Sequence, residues 1–141
     1  MSSKTQNYIL SFITIIVISL VGMVVVERNE YDLETISGIV LIIPSLICII
    51  TARFQLGGSF AITPQAKELV THGLYSKIRN PIYVFGQILI LGIILCVRIH
   101  LYLVPWALLL VMQIFRAKKE GQVLEEKFGD VYSEYKKKTW F

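Results

Sequence analysis

Two polar clusters in this sequence contain residue types suited to binding a small polar ligand. In the first, Tyr75, Arg79, Asn80 and Tyr83 lie where a basic loop turns into an apolar helix beginning at Pro81. Proline suits a first helical turn, because the N–H that it lacks would be unpaired there. A helix N-terminus adds unpaired N–H groups and a partial positive charge. This cluster is therefore a candidate ligand site.

The second cluster lies near the C-terminal end of an apolar block. Gln113, Arg116 and Glu120 are spaced i, i+3 and i+7, so they share one helix face. Arg116 and Glu120 could form only a surface i,i+4 ion pair, which contributes roughly 0.2–0.5 kcal/mol. The other interpretation is functional, because polar groups at membrane depth are unfavourable and tend to carry function. Gln87, one turn after Tyr83, has the same two interpretations, with an interhelical hydrogen bond as the structural one.

Other reactive residue types have weaker patterns. Cys48 and Cys96 both fall inside apolar blocks, where small buried side chains are expected, and no metal-binding spacing accompanies them. We expect His72 and His100 to be solvated, since neither has a neighbour in sequence that would make it a base or a ligand. The sequence predicts no metal site and no nucleophile–histidine arrangement.

Composition determines the class of protein that must position these clusters. The chain has 141 residues, of which 55% are hydrophobic, and its mean hydropathy is +0.63. The apolar residues occur in blocks long enough to cross a hydrocarbon core of about 30 Å. We therefore predict one all-α integral membrane domain, residues 1–141, with four transmembrane helices. The predicted spans are 8–26 (a retained anchor), 36–52, 81–97 and 101–115.

The connections complete the predicted architecture. Residues 98–100 connect the third and fourth spans. Because this connection is so short, the two spans must be antiparallel neighbours. The long segment 53–80 is a polar loop that contains the first cluster. Residues 116–138 have apolar positions at helical spacing and form a cytoplasmic amphipathic segment, divided by Gly129. Within that segment, tyrosines 132 and 135 are predicted to be anchors at the membrane interface.

The distribution of basic residues predicts the orientation. With four spans, the N-terminus, the 53–80 loop and the C-terminal segment share one side of the membrane. That side contains 12 of the 14 Lys and Arg residues, whereas Arg28 and Arg98 lie opposite. The positive-inside rule makes the shared side, with both termini, cytoplasmic. Such basic residues favour anionic membrane lipids as partners, and no nucleic-acid-binding pattern accompanies them.

Both clusters also belong to longer motifs. Leu69–Tyr83, LVTHGLYSKIRNPIY, resembles the stretch LVT-x-G-x-Y-x-x-x-RHP-x-Y of the isoprenylcysteine carboxyl methyltransferase family, which is similar to phospholipid methyltransferases. The resemblance covers about residues 55–138. The family's second motif is EE-x-x-L-x-x-x-FG-x-x-Y-x-x-Y, and the matching residues here are Glu120, Leu124, Phe128, Gly129, Tyr132 and Tyr135.

The resemblance implies an integral membrane methyltransferase that uses S-adenosylmethionine without a Rossmann fold. Arg116 would position the substrate, a lipophilic small molecule or lipid that enters from the bilayer. In isoprenylcysteine carboxyl methylation the acceptor is a carboxylate. An arginine holds a carboxylate in a planar fork. The residues implied to bind the cofactor are Gln65, Lys67, Glu68, Leu69, Val70, Tyr75, Asn80, Pro81, Ile82, Tyr83 and Glu120.

Two departures from the family pattern keep other functions open. Asn80 stands where the family has a histidine, and asparagine forms hydrogen bonds but does not titrate near neutrality. Gly121 replaces the second glutamate, which puts the identity of the acceptor in question. The alternatives are an NADPH-dependent enzyme similar to membrane sterol reductases and a non-catalytic membrane scaffold.

Overall fold

The computed structural model describes residues 32–56 and 69–140, together with residues 15, 16, 19, 22, 23 and 26, which are helical. Most of the first predicted span, 8–26, lies outside this part. The described chain is all-α, as predicted, and its one β-type pairing is an isolated bridge between Ile78 and Trp140. Short 3-10 turns occupy Gly73–Ser76 and His100–Tyr102. The α-helices are α1 (Leu33–Leu56), α2 (Pro81–Val97), α3 (Leu103–Phe128) and α4 (Asp130–Lys138).

Helix α1 contains the second predicted span but is longer at both ends. Its N-terminus is capped by Asp32, whose Oδ1 accepts a hydrogen bond of 3.1 Å from the Thr35 N–H. The helix therefore begins three residues before the predicted span 36–52. The helix has 24 residues and contains an 18-residue stretch with a mean hydropathy of 2.4, so it is long and apolar enough to cross a membrane. Pro44 lies inside it.

Helices α1 and α2 cross where both have a glycine. A Cβ built on Gly38 would lie 2.7 Å from the Gly92 carbonyl oxygen, and one on Gly92 would lie 2.9 Å from the Gly38 carbonyl oxygen. Only glycine allows two backbones to approach this closely, which is a common basis of helix packing in membranes. Cys96, also buried, packs against the same crossing.

Ionic contacts join one end of the α1–α2 pair. Arg98 ends α2 in the left-handed conformation (φ 57°) and forms a salt bridge with Asp32. The hydrogen bond from Arg98 lowers the pKa of Asp32 to about 2, so this carboxylate is ionised at neutral pH. His100 Nε2 lies 3.7 Å from Glu34 Oε2. The His100 side chain is 58% exposed, in agreement with the prediction that it is solvated, and folding places it near a carboxylate that is distant in sequence.

Helix α3 continues without interruption from the fourth predicted span into the charged segment. Pro105 lies in its first turn, where proline replaces no helical hydrogen bond. Its apolar positions include an exposed stripe of Val104, Leu108, Met112 and Phe115. Helices α1 and α3 are both long and apolar enough to span a membrane, whereas α2 has 17 residues. A membrane protein accounts for this exposed apolar surface; the four-span arrangement stays a prediction.

Gly129 separates α3 from α4, as the sequence predicted. It has φ 52°, and its N–H donates a hydrogen bond of 2.9 Å to the Glu125 carbonyl, which closes α3. Helix α4 then turns back and buries Tyr132 and Tyr135, which are 3% and 9% exposed. The prediction that these tyrosines are interface anchors was wrong, since both rings pack inside the protein.

The glycine crossing leads to a stability test. Gly92→Ala should destabilise the protein by about 1–3 kcal/mol, because the new methyl group meets the Gly38 backbone and the Ile42 side chain. Gly86→Ala is the matched control in the same helix, since a Cβ there meets nothing within 4 Å. The control should be neutral or more stable, as alanine favours helix by up to about 1 kcal/mol. Thermal unfolding in detergent measures the stability of both variants. Equal stability of Gly92→Ala and Gly86→Ala would contradict the close contact between α1 and α2.

Candidate functional site

The loop that precedes α2 is attached to the end of α1. Gly73 has φ +60°, a conformation that glycine adopts readily, and it starts the 3-10 turn. At the next residue, the Leu74 N–H donates a hydrogen bond of 2.7 Å to Gln55 Oε1. A side chain at position 73 would collide with Gln55. The backbone angle favours glycine here, and an added side chain would also displace the Gln55 amide that bonds to Leu74.

Helix α4 holds the same loop from the other side. The buried Tyr135 hydroxyl donates a hydrogen bond of 2.6 Å to the Tyr75 carbonyl, across 60 residues of sequence. Burial, with a smaller contribution from Tyr132, raises the pKa of Tyr135 to about 12. The hydroxyl is therefore protonated and able to donate at any physiological pH.

A third attachment comes from the C-terminal residues. The Trp140 N–H donates to the Lys77 carbonyl at 2.7 Å, and the Arg79 N–H donates to the Trp140 carbonyl at 3.2 Å. These two bonds make the isolated bridge between Ile78 and Trp140. The loop from residue 73 to 79 is thus fixed by α1, by α4 and by the C-terminal segment.

The fixed loop leads directly into the first turn of α2. The Asn80 carbonyl accepts hydrogen bonds from Tyr83 N–H at 3.0 Å and Val84 N–H at 3.1 Å, and Pro81 is the first helical residue. The Asn80 side chain makes no capping hydrogen bond. Its amide is therefore not used to close the helix.

The centre of the site joins the two sequence clusters. The Tyr83 hydroxyl donates to Glu120 Oε1 at 2.5 Å, and Arg116 Nε lies 3.3 Å from the same oxygen. The Arg116 guanidinium carbon also lies 5.7 Å from the centre of the Tyr83 ring. The Arg116–Glu120 pair is real, but it is part of a three-residue cluster between α2 and α3 and not an isolated surface ion pair.

Tyr75 belongs to the same site. Its side chain is buried, and desolvation raises the pKa of this phenol well above its ordinary value. The nearby ionisable groups of Tyr135, Tyr83 and Glu120 raise it further, in that order. Tyr75 is therefore a neutral side chain within electrostatic range of the Tyr83–Glu120 bond.

The remaining predicted residues divide into three groups. Pro81 is buried and Ile82 is half-buried at the start of α2, directly beside the central cluster. Leu69 and Val70 are half-buried in the non-helical segment that leads to the 3-10 turn. Gln65, Lys67 and Glu68 lie outside the described residues. Their assignment to cofactor binding stays a prediction.

Two positioning residues were not predicted from the sequence. Gln55 was placed beyond the end of the second span, and Trp140 was given no role. Each acts on a residue far away in sequence, so local periodicity contains no signal for either. The polar side chain of Gln55 directly after an apolar helix was the only available indication.

The departure at Gly121 has a structural explanation. A Cβ built at this position would lie 3.1 Å from the Tyr132 hydroxyl. Any side chain at position 121 would therefore require a small shift of the hydroxyl of this buried tyrosine. Here a tyrosine hydroxyl takes up the space beside position 121, and Glu120 is left as the carboxylate that faces Tyr83.

These observations define an all-helical membrane protein with a tyrosine–carboxylate–arginine site where two apolar helices open to a basic surface. Residues 33–131 match the phospholipid methyltransferase family. The chain belongs to this family, which is one of membrane methyltransferases, as the sequence motifs predicted. No curated protein and no solved structure matches the chain.

The Tyr135–Tyr75 hydrogen bond can be tested by removing one hydroxyl. Tyr135→Phe leaves the Tyr75 carbonyl buried and unpaired, which should cost about 1–3 kcal/mol of stability. Tyr132→Phe is the control, because it removes a hydroxyl from the same short helix without breaking a hydrogen bond in the described part of the chain. Thermal unfolding in detergent compares the two variants. A smaller loss in Tyr135→Phe than in Tyr132→Phe would argue against this attachment.

Proposed function

We propose that this protein transfers a methyl group from S-adenosylmethionine to a lipophilic acceptor that enters from the bilayer. The observation that carries the proposal is the cluster of Tyr83, Glu120 and Arg116. It unites the two motifs, which are separated by 37 residues at the Tyr83–Glu120 bond. The family supports methyl transfer as the reaction.

The residues of the site fit the chemical groups of this cofactor. S-adenosylmethionine carries an ammonium group, a carboxylate, ribose hydroxyls and a sulfonium cation. The Glu120 carboxylate accepts hydrogen bonds from ammonium or hydroxyl groups, and the rings of Tyr75 and Tyr83 offer faces for a cation.

A donor for the cofactor carboxylate is also present. Arg79 Nε is buried and has no hydrogen-bond partner among the described residues. Such a buried donor is unfavourable unless a ligand supplies the acceptor. Arg79 directly precedes Asn80 and the N-terminus of α2, where unpaired N–H groups favour an anion.

When bound, the cofactor supplies a methyl group on positive sulfur, which moves to a nucleophile while the carbon–sulfur electron pair stays on sulfur. The protein must then align the reactants and exclude water, since the leaving group is already activated. Glu120, held by Tyr83, orients one reactant, and Arg116 is close enough to orient the other. Asn80 serves as a hydrogen-bonding group and does not transfer protons, because its amide does not titrate near neutrality.

The acceptor has a route from the membrane. A cavity of about 250 Å³ lies between α2 and α3 and extends from Tyr83 toward Trp106, with walls that are mostly apolar. Arg116 lies one helical turn beyond Gln113, at the end of this cavity where Tyr83 is. A carboxylate at that end would pair with Arg116 and accept a methyl group without losing a proton. A phospholipid headgroup, as in the name of the family, is the other acceptor class to test.

The proposed location is a multi-pass membrane protein with the site and both termini on the cytoplasmic side. The Asp32–Arg98 end and the Tyr83–Glu120 end lie at opposite ends of the helices. The second of these is the end at which the basic residues are concentrated. A cytoplasmic site would receive a water-soluble cofactor, while the cavity receives a lipophilic acceptor.

Binding of the cofactor provides the direct test. The purified protein in detergent should bind S-adenosylmethionine or its demethylated product and should not bind NADPH, which would identify a reductase. Glu120→Gln should weaken binding by about 1–3 kcal/mol, because the variant loses a charge-assisted hydrogen bond. Glu126→Gln, on the exposed surface of the same helix, is the control. Binding of neither cofactor by the folded protein would favour a scaffold.

The role of Arg116 is tested by Arg116→Lys, which keeps the charge but loses the planar fork. We expect methyl transfer to a lipophilic carboxylate to fall sharply while the affinity for S-adenosylmethionine stays close to that of the wild type. Titration and a transfer assay in detergent measure the two quantities. Loss of both would mean that Arg116 acts by holding Glu120. Loss of neither would leave Arg116 as a surface charge, and exposed ion pairs contribute only about 0–1 kcal/mol.

A further inference from the structure

A row of polar side chains continues from the site into the apolar part of the helix pair. Gln87 follows Tyr83 by one turn on α2, and Gln113 precedes Arg116 by one turn on α3. Both glutamines form part of the wall of the cavity between α2 and α3. The other wall residues include Leu91, Leu110 and Trp106. The surface of this cavity is almost entirely carbon, and the amide atoms of Gln87 and the amide oxygen of Gln113 are buried beside it.

These amides are not used by the fold as it is described. Gln87 is only 5% exposed, and both its Nε2 and its Oε1 are buried without a hydrogen-bond partner in the described part of the chain. Gln113 Oε1 is also buried and has no hydrogen-bond partner in that part of the chain. The Trp106 indole N–H donates a hydrogen bond of 3.1 Å to the backbone carbonyl of Gln87 and so does not satisfy the side chain.

An unpartnered amide inside a membrane helix pair is unfavourable, because neither water nor lipid tails can replace the missing hydrogen bonds. An apolar side chain would pack the same position without this penalty. The unpartnered amide of Gln87 and the unpartnered amide oxygen of Gln113, on facing helices beside a cavity, thus indicate a ligand that supplies the missing partners.

We propose that Gln87 and Gln113 select an acceptor that has a neutral hydrogen-bonding group, a hydroxyl or a carbonyl, one helical turn from the transferred methyl group. An amide is both donor and acceptor and has no charge, so it suits such a group better than an ion. A site built to bind a polar group also rejects analogues that lack it, since its own polar atoms then stay unpaired. The inference rests on the proposed function only in naming the occupant as the methyl acceptor.

Trp106 allows occupancy of the cavity to be measured without the cofactor. The chain has two tryptophans, so Trp140→Phe leaves Trp106 as the single tryptophan, which is excited selectively over the tyrosines at the red edge of its absorption. The probes are a bromine-tagged medium-chain alcohol and the bromoalkane of equal length, whose bromine quenches the fluorescence of a nearby indole. After correction for partition into detergent, the alcohol should bind roughly tenfold more tightly than the alkane.

Gln87→Met in this background should abolish the preference, because methionine has a similar shape but offers no comparable hydrogen bond. Gln113→Met should reduce it. Gln122→Met is the control on an exposed position of α3 and should keep the full preference. Thermal stability separates recognition from helix pairing, since removal of an unpartnered amide should leave stability unchanged or higher.

Equal binding of the alcohol and the alkane to the unsubstituted glutamine site would overturn the inference. A preference for the alcohol that survives Gln87→Met would also overturn it. If that variant is in addition less stable, Gln87 forms an interhelical hydrogen bond. If methyl transfer occurs without an alcohol preference, only the role of the glutamines is wrong. If the preference is present but no cofactor binds, the glutamine site stands and the proposed methyl transfer fails.

Discussion

The hydrogen bond between Tyr83 and Glu120 is the interaction on which the site depends. It connects the first turn of α2 with the last turns of α3, and the same carboxylate oxygen also lies beside Arg116. A carboxylate at the edge of an apolar helix pair is stable only if it is hydrogen-bonded or paired, and here both conditions are met. The bond therefore joins the two helices that carry the residues of the candidate site.

The two ends of helix α2 make different kinds of contact. At one end, Arg98 and Asp32 join α2 to α1 by an ion pair between residues that have no other described function. Between the ends, the glycines at positions 38 and 92 bring the backbones together, because lipid gives apolar side chains little reason to associate. The polar cluster of Tyr83, Glu120 and Arg116 lies at the other end.

The loop before α2 has a fixed position although it is not part of an α-helix. Three elements hold it: Gln55 from α1, Tyr135 from α4 and the backbone of Trp140. Each contact satisfies a backbone N–H or carbonyl, which would be unfavourable if it were buried unpaired. Tyr75 and Asn80 are consequently fixed relative to Tyr83, and the loop has the rigid support that a binding site requires.

The sequence by itself determined the all-α class and the start of α2, since long apolar blocks and a proline at position 81 depend only on composition and local stereochemistry. It also determined the family, because the residues around Tyr83 and Glu120 keep their spacing. Tertiary structure alone decided that Tyr135 is buried against Tyr75, that Gly121 makes room for Tyr132, and that Gln87 has no described partner. These contacts join residues far apart in sequence, and helical periodicity specifies a face but not the residue that packs against it.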